Sequence, residues 1–374
     1  MAPTLRVLVV NAGSSSLKLA VLADGGTVDA ESVAGWDGHD VAPIAGLLDR
    51  AGPVDAVGHR VVHGGPELQA PVVIDDTVRD RIAALVSLAP LHQPRSVAGI
   101  DAARTAVPDL PHVACFDTGY HASIPEAATT YALPAAWRER WPVRRFGFHG
   151  LSHAYAARRA GELLGRDGRD VEGLRAVTCH LGAGASLCAS LGGRSVDTTM
   201  GFTPLEGLVM ATRSGSVDPG LVLWLITEGG LTPEEVRDGL EHDSGVQGLA
   251  GTSDMAAVVE RACDDADPDA RRALDVYVHR LVGLVAAMTA TLGGLDALVF
   301  TGGVGEHAPV VRAAAAERLA FLGVRLDTAR NDRAVGRGDT VISPDGADPA
   351  ALVVEAREDL EIARLTAALV AEAR

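Results

Sequence analysis

The stretch Asn11–Lys18 (NAGSSSLK) sets backbone N–H groups, three serine hydroxyls and one ammonium on a turn of small residues. Such a turn is a nest for an anion such as phosphate. It is not the GxxxxGK[ST] loop, and a serine-rich hairpin turn with no ligand is the plain alternative. Lys18 is the only lysine, because 32 of the 33 basic residues are arginine. A lysine offers phosphate a compact point charge, where an arginine offers a planar fork. Arg60 lies inside an apolar, strand-like run, Ala56–Gly65 (AVGHRVVHGG). Burying an arginine is costly without a partner, so it has either an internal ion pair or an anion in a cleft. Arg213 lies in Gly201–Gly220 (GFTPLEGLVMATRSGSVDPG), a long aperiodic stretch of the kind that is usually functional. The alternative for Arg213 is a surface salt bridge. Asp117, in Phe116–His121 (FDTGYH), could hold Mg²⁺, take a proton or cap a helix. His149 and His153 in Arg144–His153 (RRFGFHGLSH) have the spacing of a helical metal pair without an HExxH, which favours capping or core roles. Asp296–Ala308 (DALVFTGGVGEHA), with Asp327 downstream, matches a dinucleotide-binding fingerprint loosely. A glycine platform beneath a nucleotide base or ribose fits it equally well.

These segments need elements to hold them. Arg6–Val10, Ala176–Cys179 and Ala297–Phe300 read as buried strands, each running into a glycine-rich turn. Ala154–Leu164, Ala270–Leu292 and Pro309–Phe321 read as helices, and the alternation implies an α/β fold. Residues 11–22 (NAGSSSLKLAVL) are echoed by 180–191 (HLGAGASLCASL), in phase after one inserted residue. Two similar strand–turn–strand units half a chain apart imply a duplicated fold, although glycine turns after strands are common. The boundary is expected near residue 150.

Composition narrows the function classes. The 374 residues carry a net charge of −16, which argues against nucleic acid or an anionic membrane surface as a partner. The longest apolar run, Leu281–Leu292, is too short to cross a membrane and is interrupted by Gly283, and the N-terminus has no signal-peptide pattern. The four cysteines form no CxxC pair, so neither a disulfide framework nor a zinc site is expected. The expected location is the cytoplasm.

Taken in order, NxGSSSxK at Asn11–Lys18, GHRVVHGG, LAPLHQP (Leu88–Pro94), FDTGYH, RRFGFHG, HLGAGAS, MGFTPLEG…TRSG at Met200–Gly215 and FTGGVGEH resemble the acetate kinase family over nearly the whole chain. The resemblance implies an α/β fold of two duplicated ribonuclease H-like lobes, as in the actin-like ATPase superfamily, with a nucleotide cleft between them. It implies an N-terminal lobe over 1–150, with a C-terminal helix at about 360–374 packing back on it, and a nucleotide-binding lobe over 151–359. The implied reaction is reversible Mg²⁺-dependent phosphoryl transfer from ATP to acetate, giving acetyl phosphate and ADP, in a homodimer. Mn²⁺ is an alternative ion, and propionate or butyrate an alternative acceptor.

Carried across, the resemblance makes Arg60, Asp117, His149 and Arg213 catalytic. Asn11, Ser14, Ser16, Lys18, His180, Gly182, Gly184, Asp254, Gly302, Gly303 and Gly305 would bind ATP and its phosphates. Arg60, Val62, Leu91, His92, Phe148 and Pro204 would line the acyl pocket, and Asn11 and Glu358 would serve the metal. Five departures from the family pattern stand out: Ala183 in HLGAG, His307 after GE, Ser216 after RSG, Leu151 in FHGLSH, and Ala356–Asp359 (ARED) at the C-terminal acidic motif. A nucleotide-gated interaction protein and an NAD-dependent oxidoreductase are the competing classes. The first would need an added binding surface, and the second NAD in the late glycine loop.

Overall fold

The computed structural model describes residues 5–13, 16–90, 92–166, 168, 171–263 and 267–372. Ser14 and Leu91 therefore lie outside the described residues. The chain divides into two compact units. Unit 1 is Met1–Ala122, Phe148–Tyr155 and Arg357–Arg374, and unit 2 is Ser123–Gly147 and Ala156–Ala356. Residues 123–147 thus group with unit 2, where the sequence reading put them in the first lobe. Their backbone explains it: Arg145 N donates to Thr129 O, and the N–H groups of Phe146 and Gly147 to Gly201 O.

Unit 1 contains a six-stranded sheet of β1 (Val7–Ala12), β2 (Ser16–Ala23), β3 (Gly26–Ala34), β4 (Ala56–Val61), β5 (Val72–Val73) and β6 (His112–Phe116), in the order β3-β2-β1-β4-β6-β5. Unit 2 contains another, of β7 (Arg175–Leu181), β8 (Ala185–Leu191), β9 (Arg194–Thr198), β10 (Ala297–Thr301), β11 (Thr340–Val341) and β12 (Ala350–Val353), in the order β9-β8-β7-β10-β12-β11. Adding six to each strand number converts the first order into the second. The directions match as well: an antiparallel meander, three parallel strands and an antiparallel edge in each sheet. The duplication read from the two glycine hairpins is therefore present strand for strand. Asn11 pairs with Lys18 across the first hairpin, and His180 with Ser186 across the second.

Strand β1 is apolar over Val7–Val10 because both of its faces are covered there. Leu8, Val10 and Ala12 enter a core with Ile44, Leu47, Ala102 and Ala103. Val7 and Val9 enter another with Cys115, Leu151, Ile362 and Val370. The second core is closed by the C-terminal helix Glu358–Glu372, which lies on β4 because residue 58 is glycine. A Cβ there would stand 2.5 Å from Thr366 Oγ1 and 2.7 Å from Ile362 Cγ2. In unit 2 the helix expected at 270–292 is Pro268–Leu292, capped by the Asp267 carboxylate. It is longer than the apolar run read from sequence, and by length and composition alone it could cross a membrane. Half of its apolar window is buried, with Ala273, Tyr277, Leu281 and Val285 among the buried residues.

Among the buried histidines of unit 1 are His59, His63, His112 and His121. His59 Nε2 lies 3.0 Å from His112 Nδ1. Burial pushes all four below the ordinary histidine value, His63 and His121 to about 4. A depressed native pKa means that the unfolded chain binds more protons below about pH 6.5, so stability falls as pH drops through that value. We expect the urea midpoint to decline steadily from pH 7 to pH 5, with His63 and His121 each contributing a loss of about 2 kcal/mol at pH 5. A midpoint independent of pH over that range would contradict it.

Candidate active site

The site in unit 1 starts from strand alternation. Gly58 faces the C-terminal helix, so Arg60, two residues on, points to the same side near that helix's first turn. Asp117 follows the last residue of β6, and its backbone N–H donates to Val61 O. The two side chains meet. Arg60 Nη2 donates to Asp117 Oδ2 at 2.6 Å, and Arg60 Nε lies within 3.3 Å of both carboxylate oxygens. Arg60 Nη1 donates to Asn11 Oδ1 at 3.3 Å, and Glu358 Oε2 is 3.5 Å from Arg60 Nε. Asp117 is almost fully buried, while the Arg60 side chain keeps 20% exposure. Arg60 is thus both ion-paired and accessible, and Asp117 is a buried partner in place of a helix cap. Burial pushes the Asp117 carboxyl up to about 6, with the Arg60 charge opposing and the Glu358 charge adding to it. Burial opposes the Arg60 charge, but the two carboxylates outweigh it and raise its pKa.

His149 is one of two non-glycine residues with a positive φ among the described residues, at +56°. Residues held in the left-handed region concentrate at functional sites, where the surroundings enforce them. The enforcement here is visible. The N–H of Gly150 donates to Asp117 O at 2.9 Å, and a Cβ on Gly150 would lie 2.1 Å from that oxygen. The turn therefore presses onto the Asp117 backbone, and the helix Gly150–Arg166 begins there with His153 N donating to His149 O. His153 itself is buried, a core residue as its capping-or-core reading allows. Phe148 and Val62 are buried, and His63 meets the Phe148 ring edge-on at 5.5 Å. His92 precedes the helix Gln93–Ala106. Lys18 is exposed on β2 opposite Asn11, and Ser16 begins that strand.

Unit 2 holds the remaining residues. Arg213 Nη1 donates to Pro204 O at 2.6 Å, and burial pulls the Arg213 pKa down. Its loop is clamped by Ser214 N on Leu240 O, Ser244 N on Thr212 O and Gly245, where a Cβ would lie 2.2 Å from Met210 O. A cavity of about 560 Å³ brings together Gly182, Ala183, Asp254, Gly303, His307, Tyr277 and Glu260. Gly303 is open, with nothing within 4 Å of a Cβ, whereas Gly302 and Gly305 stand against backbone. Gly184 O accepts from Gly182 N, and His180 pairs with Thr301 on β10. The late glycine segment is a short helix, Gly302–His307. Glu206, Tyr131 and Arg145 are not singled out by the sequence motifs. Glu206 accepts from Tyr131 Oη and Arg145 Nη2, both at 2.8 Å, joining the 200–216 loop to residues 131–145. Its signal was an acid in the apolar string TPLEGL.

A profile of the acetokinase family matches residues 44–364. The chain belongs to the acetokinase family. It is 44% identical to the acetate kinase of Deinococcus radiodurans, covering 97% of this chain and 98% of that one. It is 50% identical to that of Leifsonia xyli subsp. xyli over 83% of this chain and 77% of the relative. The crystal structure of Porphyromonas gingivalis acetate kinase superposes with a TM-score of 0.88 at 32% identity, over 98% and 100% of the two chains. A propionate kinase from Francisella tularensis gives 0.87 at 32%, over 97% and 99%. As an acetokinase family member the protein is a phosphotransferase, and its fold is the duplicated α/β one of the actin-like ATPases.

The acetokinase departures are accommodated locally. Leu151 is a core residue beside Val9 and Ile362. Ser216 Oγ accepts from Gly207 N, and its N–H donates to Gly207 O, closing the loop that carries Arg213. His307 Nδ1 lies 3.0 Å from Gly303 O.

Replacing Gly150 by Ala forces the His149 turn off the Asp117 carbonyl. We expect Gly150→Ala to lose about 1–3 kcal/mol in urea unfolding and more than about 10-fold in kcat. Full activity with an unchanged midpoint would show that the turn is not held there.

Proposed function

We propose that this kinase transfers the γ-phosphoryl group of ATP to acetate, reversibly, by direct in-line displacement. The observation that carries this reading is the Arg60 guanidinium, one-fifth exposed and bonded to Asp117, Asn11 and Glu358, with the positive-φ His149 turn held on the Asp117 carbonyl. An acetate carboxylate oxygen attacks the γ-phosphorus as the bond to the β,γ-bridging oxygen breaks, and ADP departs with that electron pair. The transferring group is metaphosphate-like, so the protein's task is alignment and charge neutralisation. Arg60 is assigned the acceptor carboxylate, Arg213 the transferring phosphoryl oxygens, and His149 a hydrogen bond to one of them. Val62, Phe148 and Pro204 are assigned to the acetate methyl, with His92 near the acyl end. Asn11, Ser16 and Lys18 are assigned to the phosphates, together with His180, Gly182 and Gly184. The cavity of Asp254 and Gly303 is assigned to the nucleoside, and Gly302 and Gly305 to the backbone behind it.

The donor set of Asn11, Asp117 and Glu358 is all hard oxygen. Among the described residues no larger cluster of His, Cys, Asp or Glu could hold a metal ion alone. That suits Mg²⁺, which keeps waters and takes one or two carboxylates plus substrate phosphates. Bound there, the ion would neutralise phosphate charge; Asn11 and Glu358 would hold it or its water shell, and Asp117 would sit beside them.

The homodimer and the cytoplasmic location are part of the same proposal. The dimer is supported by the helix Pro219–Thr227 (PGLVLWLIT), where Leu221, Leu223 and Trp224 are 47%, 64% and 55% exposed. An apolar patch of that kind marks an interaction surface. We expect light scattering to give a dimer for the native chain and a monomer for Trp224→Glu; a monomeric native chain would refute the assignment.

Propionate is the second reading, favoured by the likeness to the propionate kinase structure. One methylene in an apolar pocket is worth about 1–3 kcal/mol, so pocket shape decides. A hydroxamate assay should give kcat/KM highest for acetate with ATP, and Arg60→Ala or Arg213→Ala should cut kcat by about 100-fold or more. A preference for propionate or butyrate would move the acceptor, and near-native turnover in both variants would remove the assigned roles.

A further inference from the structure

Glu306 lies in the short helix Gly302–His307, and its Oε1 accepts two backbone N–H groups. One is from Gly302 at 2.8 Å, the other from Ala356 at 3.0 Å. Gly302 opens the glycine loop, and Ala356 is the last residue of unit 2. One carboxylate oxygen thus ties the start of the loop to the point from which the chain runs on, two residues later, to Glu358. The loop has little room to shift otherwise. Gly302 has φ +78°, and a Cβ there would lie 2.9 Å from Leu181 O. From the other end Arg312, fully buried, donates to Gly305 O and Glu306 O at 2.8 Å each, and to Asn331 Oδ1 and O. Between the two anchors stands Gly303, exposed and lining the cavity.

We propose that Glu306 is a positioning residue for the phosphoryl donor. Its carboxylate holds the glycine loop against the Ala356 N–H, so that the open Gly303 face is presented to the nucleotide. Glu306 acts through those two N–H groups and does not itself touch the donor. The inference rests on ATP being the donor.

The test uses the full chain, a fluorescent ADP analogue, steady-state kinetics and thermal unfolding. Glu306→Ala frees both N–H groups and should raise the KM for ATP and the Kd of the analogue together, by about 10–100-fold. The KM for acetate should stay unchanged. Glu306→Gln keeps one acceptor oxygen and should fall between Ala and the native chain. A lower melting temperature with native analogue affinity would make Glu306 a structural brace only and overturn the proposal, as would an equal rise in the acetate KM. Should Glu306→Ala not fold, Glu306→Gln decides alone, and native affinity in it overturns the proposal. Failure of the native chain to bind the analogue would refute the ATP reading itself, before any variant is compared.

Discussion

A guanidinium set into a central strand is the constraint around which unit 1 is arranged. Arg60 cannot stay in β4 without compensation, and Asp117 supplies it from the end of the neighbouring parallel strand. Removing one partner of such a buried pair costs about 3–5 kcal/mol, because the other is left charged in a poor solvent. The pair therefore fixes how β4 and β6 end. Asp117's carbonyl, fixed with it, then receives the Gly150 N–H and holds the His149 turn. Glu358 arrives beside Arg60 because Gly58 lets the C-terminal helix lie on the strand. Four segments far apart in sequence thus share one electrostatic centre.

Unit 2 uses carboxylates differently. Glu206 and Glu306 are hubs that accept from several donors and hold loops that the strands alone would leave loose. Glu306 satisfies two backbone N–H groups that lack ladder partners, whereas Glu206 joins two side chains, Tyr131 and Arg145. The duplicated sheets provide the same frame twice. Different loops at the strand ends give each frame its own feature, an ion-paired arginine centre in one and an apolar cavity with few polar groups in the other.

The departures from the family pattern follow the same logic. Leu151 joins a core, and Ser216 closes its own loop. Ala183 and His307 both line the cavity, where a change of side chain alters lining and leaves the strands beneath intact.

Much was legible in the sequence. The two glycine hairpins in phase gave the duplication, because a strand–turn–strand unit leaves a local pattern. Arg60 in an apolar run announced a partner, since an unpaired buried charge is forbidden on energetic grounds. Family likeness then pointed to Asp117, His149 and Arg213. What the chain order could not disclose was which partner. Asp117 lies 57 residues from Arg60, and Glu358 nearly 300, and only the parallel pairing of β4 with β6 and the seating of the last helix bring them together. The same holds for the membership of residues 123–147 in unit 2 and for the roles of Glu206 and Glu306. Sequence determined the types of residue and their local turns, because propensity and burial act locally. The tertiary structure decided the pairs, because a charge or an N–H group selects its partner by proximity in space.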